Sequence, residues 1–256
     1  MGTSPQKGRQ IVKIEGKTAL VTGGAHRVGK AIAMTLARAG ANLVINYHSS
    51  DEAAQQTVRE AQALGVGALA VQADIADLQQ VRSMVAAAGD RFGGVDILVN
   101  SASIWQKTPL PMGDFSDWHR VLRVLLDGSM YLADAVAPTM QQQGEGAIVN
   151  IVDLSAWKPF PHYIAHSVGK AGLLALTRQL AIELAPAISV NAVAPGPVLP
   201  PPDYTEKQIA RVARRTLKGR WGSAQDVAGA VRFLVEADYI TGEVIAVDGG
   251  ERYGPA

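Results

Sequence analysis

Residues 18–29 read Thr-Ala-Leu-Val-Thr-Gly-Gly-Ala-His-Arg-Val-Gly, and this stretch decides the fold. It starts as an apolar, strand-like run, continues as a glycine-rich turn, and enters a helical pattern at Val28. Glycines in a strand-to-helix turn let the backbone approach a pyrophosphate, and the helix N-terminus supplies unpaired N–H groups and a positive dipole. The turn therefore predicts a dinucleotide-binding site, whose candidate residues are Thr22, Gly23, His26, Arg27, Val28 and Gly29.

Outward from this turn, apolar runs alternate with helical patterns. The predicted strands are Thr18–Thr22, Leu43–Asn46, Ala68–Gln72, Ile97–Asn100, Ala147–Val152, Ser189–Val193 and Val244–Val247. The predicted helices between them are Val28–Ala39, Glu52–Leu64, Gln79–Phe92, Trp118–Met140 and Val168–Leu184. Near-continuous apolar strands separated by helices indicate a parallel sheet covered on both faces. We expect a flexible leader (residues 1–16) and one α/β domain (17–256), a Rossmann-type doubly wound seven-stranded parallel sheet with helices on both faces.

Composition excludes several classes of protein. The 256 residues carry a formal net charge of +1 and have no basic stripe with interleaved aromatics, so nucleic acid is not an expected partner. The absence of cysteine excludes disulfides, thiolate catalysis and cysteine-ligated metals, and no metal site is expected. No apolar run approaches the roughly 18 residues of a membrane span, and the N-terminus lacks the apolar stretch of a signal peptide. We expect a cytoplasmic protein that binds a small-molecule substrate and no membrane.

The end of the second strand predicts which nicotinamide cofactor is bound. Sites for NAD place an acid there to hold the ribose 2′-hydroxyl, but the run Asn46-Tyr47-His48-Ser49-Ser50 contains none before Asp51. Asp51 starts a helical pattern, where we interpret it as an N-cap. Because a carboxylate would repel a 2′-phosphate, the sequence favours NADP(H). Its candidate ligands are Tyr47, His48, Ser49 and Ser50, together with Arg27.

Five prolines interrupt the segment Ala194–Tyr204, which follows a predicted strand on the side where ligands of open α/β sheets bind. The helical patch Thr205–Leu217 comes next and is a candidate substrate lid. Ser223 and Asp226 then form a predicted capping box for another helix.

The motifs of the chain, in their order and spacing, resemble the short-chain dehydrogenase/reductase family from Lys17 to Gly250. They are the Thr-Gly turn, Asp74-Ile75, Asn100-Ser101-Ala102, Lys170-Ala171-Gly172, Pro195-Gly196 and Val247-Asp248-Gly249-Gly250. The resemblance implies that Asp74 lies by the adenine and that Asn100 and Ala102 line the nicotinamide ribose. It also implies that Lys170 binds the ribose hydroxyls and that Pro195-Gly196 borders the nicotinamide. Ile75, Ser101 and Val198 are further candidate cofactor-binding residues. A homotetramer built on the helices Trp118–Met140 and Val168–Leu184 is implied as well.

Within that family, three features are similar to the pteridine and dihydromonapterin reductases. Arg27 stands where most members have glycine, and Asp153 stands where most have serine. The stretch from Asn100 to Trp105 looks like the segment whose aromatic residue stacks on a pterin. Trp105 could equally be a core residue beneath its loop. The candidate substrate-binding residues are Ser103, Trp105, Asp153 and Tyr163.

The family's Tyr-x-x-x-Lys signature, whose tyrosine protonates the substrate, is missing. His166 stands four residues before Lys170, and Tyr163 stands seven before it, on what would be the same helix face. An asparagine of the family's proton relay is replaced by Leu125, which we interpret as a core residue. The predicted catalytic residues are therefore His166, Lys170, Asp153 and Tyr163.

Three interpretations of His166 remain open. It could be the general acid, oriented by Asp153 as carboxylates orient catalytic histidines. Tyr163 could instead donate the proton across one helical turn. Finally, His166 could be a polar substitute in a site that has lost its chemistry.

Three functions follow from these alternatives. The first is an NADPH-dependent, pteridine reductase-like enzyme that transfers hydride to a C=N or C=O compound. The second is a 3-oxoacyl-thioester or ketone reductase of the broader family. The third is a catalytically weak NADP(H)-binding sensor or scaffold. Loss of both the tyrosine and the asparagine favours the third function, whereas Lys170, Asp153 and Trp105 favour the first. An already electrophilic C=N substrate also needs less acid catalysis than a ketone, which agrees with the first.

Overall fold

In the computed structural model, which describes residues 13–254, seven strands form one sheet, and every neighbouring pair is parallel. The strands are β1 (Thr18–Val21), β2 (Asn42–Tyr47), β3 (Ala68–Gln72), β4 (Ile97–Asn100), β5 (Gly146–Ile151), β6 (Ile188–Pro195) and β7 (Val244–Val247). Their order is β3-β2-β1-β4-β5-β6-β7. The predicted seven-stranded, doubly wound sheet is confirmed.

Helices cover both faces of the sheet. They are α1 (Arg27–Arg38), α2 (Asp51–Gln62), α3 (Leu78–Phe92), α4 (Ser116–Leu122), α5 (Gly128–Gln143), α6 (Ile164–Leu184), α7 (Glu206–Ala213) and α8 (Ala224–Glu236). Side chains of α1, α2 and α8 pack in one core cluster with the sheet, whereas those of α3, α5 and α6 pack in a second. The apolar strands are buried between these layers, as their near-continuous hydrophobicity predicts.

The topology changes direction between β1 and β4, which are neighbours although two strands separate them in sequence. The Thr22 hydroxyl ties the ends of these strands together, because its Oγ1 accepts hydrogen bonds from the backbone N–H groups of Ser101 (2.9 Å) and Ala102 (3.0 Å). Ligands of open α/β sheets bind outside the carboxyl ends of the strands at such a switch point. The fold thus places the candidate site here.

The predicted helix Trp118–Met140 differs from the observed one in its middle. The helical path begins at Ser116 and passes through a π-helical segment, Arg123–Asp127, between α4 and α5. Leu125 lies in that segment and is buried against Val121 and Ala165, which confirms its core interpretation. An apolar side chain therefore fills the position where the family resemblance would place a polar relay residue.

The predicted helical patch Thr205–Leu217 is longer than the observed helix. Helix α7 ends at Ala213, and Thr216 lies in the turn beyond it, where its Oγ1 accepts the Arg220 N–H (3.2 Å). The capping box of Ser223 and Asp226 at the start of α8 is confirmed by reciprocal hydrogen bonds.

The boundary of the predicted leader needs correction. Ile14 is buried in the core, and Gly16 donates a backbone hydrogen bond to the Gly40 carbonyl (2.9 Å). The packed fold therefore includes residues that the sequence pattern assigns to the leader, and residues 1–12 of that prediction lie outside the described part of the chain.

Candidate active site

The glycine-rich turn after β1 brings backbone segments close together. A Cβ on Gly29 would lie 2.2 Å from the Gly23 carbonyl oxygen, and Gly23 itself has a positive φ of 61°. Helix α1 begins after His26, whose side chain makes no cap hydrogen bond, and has no acid in its first turn. Its first N–H groups therefore have no helical partner and no neighbouring carboxylate in that turn.

Arg27 occupies this turn in an unusual conformation. Its φ is +48°, in the left-handed region that glycine adopts without strain. The guanidinium donates to the Leu199 carbonyl (3.2 Å) in the proline-rich segment after β6. The side chain thus joins the cofactor turn to the far rim of the site.

A cleft of about 450 Å³ opens at the carboxyl edge of the sheet. The predicted site residues that line it are Gly23, His26, Arg27, Val28, Gly29, Ser101, Ala102, Ser103, Trp105, Asp153, His166, Lys170, Pro195 and Gly196. The predicted site residues outside its lining are Thr22, Tyr47, His48, Ser49, Ser50, Asp74, Ile75, Asn100, Tyr163 and Val198. The fold therefore brings together the turn, the segment after β4 and three of the four candidate catalytic side chains, but neither Tyr163 nor the end of β2.

Several residues outside the lining have structural partners. Asn100 donates to Asn150 Oδ1 (2.8 Å), and its own Oδ1 is buried without a hydrogen-bond partner. The Asp74 carboxylate accepts the Ala76 N–H (2.9 Å), while Ile75 is buried. Val198 borders a neighbouring cavity of about 370 Å³.

The interpretation of Asp51 as an N-cap was wrong. Ser50 holds the N-cap position of α2 without a side-chain cap bond, and Asp51 is the first helical residue. The Asp51 carboxylate instead accepts a hydrogen bond from the Tyr47 hydroxyl (2.6 Å). This bond lowers the pKa of Asp51, so an ionised acid lies at the end of β2 after all.

His166 is held at both ring nitrogens. Its Nδ1 lies 2.9 Å from the Ile104 carbonyl oxygen, and its Nε2 lies 2.6 Å from Asp153 Oδ2. Ile104 reaches the ring because Thr108, four residues later, docks on the start of α6 by accepting the Ala165 N–H at its Oγ1 (3.0 Å). The predicted pairing of His166 with Asp153 is therefore present in the structure.

Lys170 and Asp153 carry opposite charges beside this ring. Burial raises the pKa of the Asp153 carboxyl, but the His166 hydrogen bond and the Lys170 charge outweigh it and leave that pKa below its ordinary value. Burial also lowers the pKa of the Lys170 ammonium, against the opposing effect of Asp153. Lys170 Nζ donates to the Ile151 carbonyl (2.7 Å). The arrangement brings a carboxyl group, an imidazole and an amino group to the lining of one cleft.

Trp105 and Tyr163 form one stacked pair. Their ring centroids are 4.2 Å apart at an interplanar angle of 26°, and Trp105 meets His166 edge-on at 4.6 Å. Trp105 is 56% exposed and lines the cleft, which contradicts the alternative of a core tryptophan. Tyr163 is the N-cap residue of α6, one position before the helix on which we expected it.

Sequence reasoning missed the groups that hold the candidate catalytic side chains. The Ile104 and Ile151 carbonyls are backbone atoms, and no residue-type signal could have revealed them. Ser155 donates from both its N–H and its hydroxyl to Asp153 Oδ1. Its spacing two residues after an aspartate is the signal of an Asx turn and could have been noticed.

Comparison with known proteins identifies the family. The family model described as enoyl-(acyl carrier protein) reductase matches residues 23–251, which include the glycine-rich turn, the cleft and the closing segment after β7. The chain belongs to the short-chain dehydrogenase/reductase family. It is therefore related to oxidoreductases that use nicotinamide cofactors.

Relatives and solved structures of this family match nearly the whole chain. A 3-oxoacyl-[acyl-carrier-protein] reductase from Synechocystis is 37% identical over 94% of this chain and 98% of its own length. A structure described as a short-chain alcohol dehydrogenase from Sinorhizobium meliloti has a TM-score of 0.89 at 33% identity, covering 96% of this chain and all of that one. A blue fluorescent protein from a metagenomic library, in complex with NADPH, has a TM-score of 0.85 at 35% identity, covering 93% and 99%.

The residues of the glycine-rich turn fit the dinucleotide cofactor that membership of this family implies. A side chain at Gly29 would collide with the turn backbone, and one at Gly23 would lie 3.1 Å from Ala102 Cα. The uncapped start of α1 and the unpartnered, buried Asn100 Oδ1 add polar atoms that a bound cofactor can satisfy. The chemistry of the turn therefore suits a pyrophosphate.

Residues 13–254 hold neither a membrane-spanning helix nor a cluster of metal-ligating side chains. No helix there is long and apolar enough to cross a membrane. No group of three histidine, aspartate or glutamate side chains in the same range has an arrangement that could hold a metal ion.

Proposed function

We propose that this short-chain dehydrogenase/reductase is an NADP(H)-dependent reductase of a carbonyl compound, with 3-oxoacyl thioesters and related ketones as its substrate class. The observation that carries the proposal is the convergence of the glycine-rich turn and the hydrogen-bonded Asp153–His166 pair on one cleft. The named activity of the Synechocystis relative supports the choice of carbonyl compound.

NADPH would supply the hydride, and residues of this chain would position the substrate and provide the proton. Gly23 and Gly29 would admit the pyrophosphate, and Lys170 would hold the ribose hydroxyls. The Asp153–His166 pair would serve as the acid in place of the family's tyrosine, since general acid catalysis contributes typically 10²–10⁴-fold.

The choice of NADP(H) over NAD(H) rests on the donors near the 2′-position. His48 and Ser49 are exposed at the end of β2, and Arg27 lies in the adjoining turn. The NADPH complex of the 35% identical blue fluorescent protein also supports it. Asp51 opposes this preference, because its ionised carboxylate stands beside the same strand end.

A second candidate function is the reduction of a flat, pterin-like C=N compound. The exposed Trp105 ring on the cleft favours it, because a stacked aromatic wall suits a flat substrate. Arg27 and Asp153, which resemble the residues of pteridine reductases at these positions, also support this second candidate.

The experiment is NADPH oxidation by the purified protein with acetoacetyl thioesters, small ketones and dihydropterins. Turnover of the thioester or a ketone supports the proposal, while turnover of the dihydropterin alone selects the second candidate. Tight NADPH binding without turnover of any of these compounds would overturn the proposed enzyme and indicate a binding protein.

A further inference from the structure

We propose that Asp153 is the group that passes the proton to the substrate, and that His166 is a positioning residue that holds and replenishes that proton. The inference rests on the proposed reductase function. It reverses the roles in one of the three interpretations that the sequence leaves open, in which His166 is the general acid and Asp153 orients it.

The first argument is that neither nitrogen of His166 is free. The Ile104 carbonyl can only accept a hydrogen bond, so Nδ1 must carry a hydrogen. The 2.6 Å separation of Nε2 and Asp153 Oδ2 requires one further hydrogen between those two atoms. The pair therefore holds one hydrogen that can leave. This hydrogen lies between His166 Nε2 and Asp153 Oδ2.

The side chains of His166 and Asp153 differ in their exposure to solvent. The His166 side chain is 2% exposed, whereas that of Asp153 is 22% exposed. Turning the ring towards the cleft would break both of its hydrogen bonds and its edge contact with Trp105. Both residues line the cleft, but Asp153 has the more exposed side chain and needs no such movement.

The Asp153 carboxyl group keeps one acceptor position that no group of residues 13–254 occupies. A carboxylate offers about four lone-pair positions. Two on Oδ1 are used by the Ser155 N–H and hydroxyl, and one on Oδ2 is used by His166. One position on Oδ2 remains open, and the shared hydrogen reaches a substrate oxygen there once it has moved fully onto Oδ2 and turned away from Nε2 into that position.

Other ionisable groups near the cleft are less suitable donors. Lys170 Nζ is buried and donates to the Ile151 carbonyl. Tyr163 is stacked against Trp105 outside the lining. His26 and Arg27 line the cleft from the glycine-rich turn, and Arg27 donates to Leu199. The charged groups acting on Asp153 are Lys170 and His166, both on α6.

The proposed step balances. The carbonyl carbon gains the hydride, the C=O π pair becomes an O–H bond, and the hydrogen of that bond comes from Asp153 Oδ2. The pair is left as a carboxylate and a neutral imidazole that still donates from Nδ1 to Ile104. One proton from water then restores it.

The test compares Asp153→Asn with His166→Gln across pH, with Tyr239→Phe, at a fully exposed tyrosine beyond α8, as the control. Asp153→Asn should lose about 10²-fold or more in turnover at every pH. His166→Gln should lose activity at neutral pH and recover as the pH falls. Without the ring, burial raises the pKa of Asp153 with less opposition, and the carboxyl alone can hold the proton in mild acid. Tyr239→Phe should leave the rate unchanged, because that side chain is 98% exposed and lies outside the cleft lining.

The proposal would be overturned if His166→Gln were inactive at every pH while Asp153→Asn kept a pH-dependent rate. Equal losses at every pH would also overturn it. Thermal melting checks that each variant folds, and Asp153→Ser replaces Asp153→Asn if the latter does not, because serine can retain the local cap.

A second readout needs neither cofactor nor substrate. The second readout is an NMR spectrum of the wild-type protein labelled with ¹⁵N-histidine. The signal of the His166 ring is identified by its absence from the spectrum of His166→Gln. In the wild type, this signal should show a protonated Nδ1. Its Nε2 shift should change in Asp153→Asn. A bare Nδ1 would overturn the inference. If the wild type reduces none of the compounds offered, the proposed function fails, while this spectrum still decides how the pair is arranged.

Discussion

The Tyr47 hydroxyl donates a 2.6 Å hydrogen bond to the Asp51 carboxylate at the end of β2. The bond raises the pKa of Tyr47 and lowers that of Asp51, so the acid stays ionised and the phenol stays neutral at physiological pH. A negative charge therefore stands where the adenosine ribose of a bound cofactor is expected, beside the donors that favour a 2′-phosphate. We expect the choice between NADP(H) and NAD(H) to depend on the balance between the Asp51 charge and these hydrogen-bond donors.

Asp51→Asn should increase the affinity for NADPH several-fold and leave the affinity for NADH nearly unchanged, since only NADPH carries the 2′-phosphate that this carboxylate repels. The wild type should itself prefer NADPH by about tenfold, which corresponds to ~1.4 kcal/mol. Calorimetric titration of both cofactors measures these differences. Asp90→Asn, which changes an acid near the end of α3, is the matched control. A wild type that prefers NADH would refute the assignment.

Arg27→Gly should melt higher than Arg27→Ala. Both variants lose the hydrogen bond to Leu199, but only glycine adopts the left-handed backbone at position 27 without strain, a difference of roughly 1–2 kcal/mol. Differential scanning calorimetry on the two variants isolates the backbone contribution. Equal melting temperatures would show that the turn relaxes when the arginine is removed.

Gly29→Ala should abolish cofactor binding and destabilise the turn, because the new Cβ would lie 2.2 Å from the Gly23 carbonyl oxygen. Gly89→Ala in α3 is the control, since a Cβ at that position would meet no atom within 4 Å and alanine is the better helix former by about 1 kcal/mol. Fluorescence titration with NADPH and a thermal melt would separate the two. A Gly29→Ala protein that still binds NADPH normally would contradict the close-packed turn.

Trp105→Ala should raise the KM for the substrate while lowering stability by no more than the ~0.5–1.5 kcal/mol of an aromatic pair. A buried aromatic side chain would cost about 3–5 kcal/mol, but this one is half exposed. Urea unfolding and steady-state kinetics provide the two readouts. Trp105→Phe should restore part of the affinity, and a large loss of stability without a change in KM would argue for a structural role.

We infer a homotetramer built on α5 and α6, whose outer surfaces expose Met130, Val168 and Ile182. Ile182→Glu should dissociate it because the charge would have to be buried at the interface. Size-exclusion chromatography with light scattering should give four 27.0-kDa chains for the wild type and smaller species for the variant. Leu64→Glu, at an exposed apolar position beyond α2, should remain assembled. A monomeric wild type would refute the assembly.

The sequence by itself determined the sheet and the cofactor turn. Apolar strands and glycine spacing are local signals, so the limits of β3, β4 and β7 and the close-packed turn at Gly29 followed from neighbouring residues alone. The pairing of His166 with Asp153 was also predictable, because each residue stands at a recognisable position relative to Lys170.

Only the tertiary structure decided the exposure and the partners of those side chains. The Ile104 carbonyl that occupies His166 Nδ1 comes from a different segment, and a backbone atom leaves no mark in the residue pattern. The Tyr47–Asp51 bond likewise depends on the direction in which β2 enters α2, so an aspartate that resembled a helix cap became a charge at the candidate cofactor site. Hydrogen bonding and burial are properties of packed surfaces, which is why the partners and the exposure of Asp153 and His166 became known only from the structure, after the sequence had already named both residues.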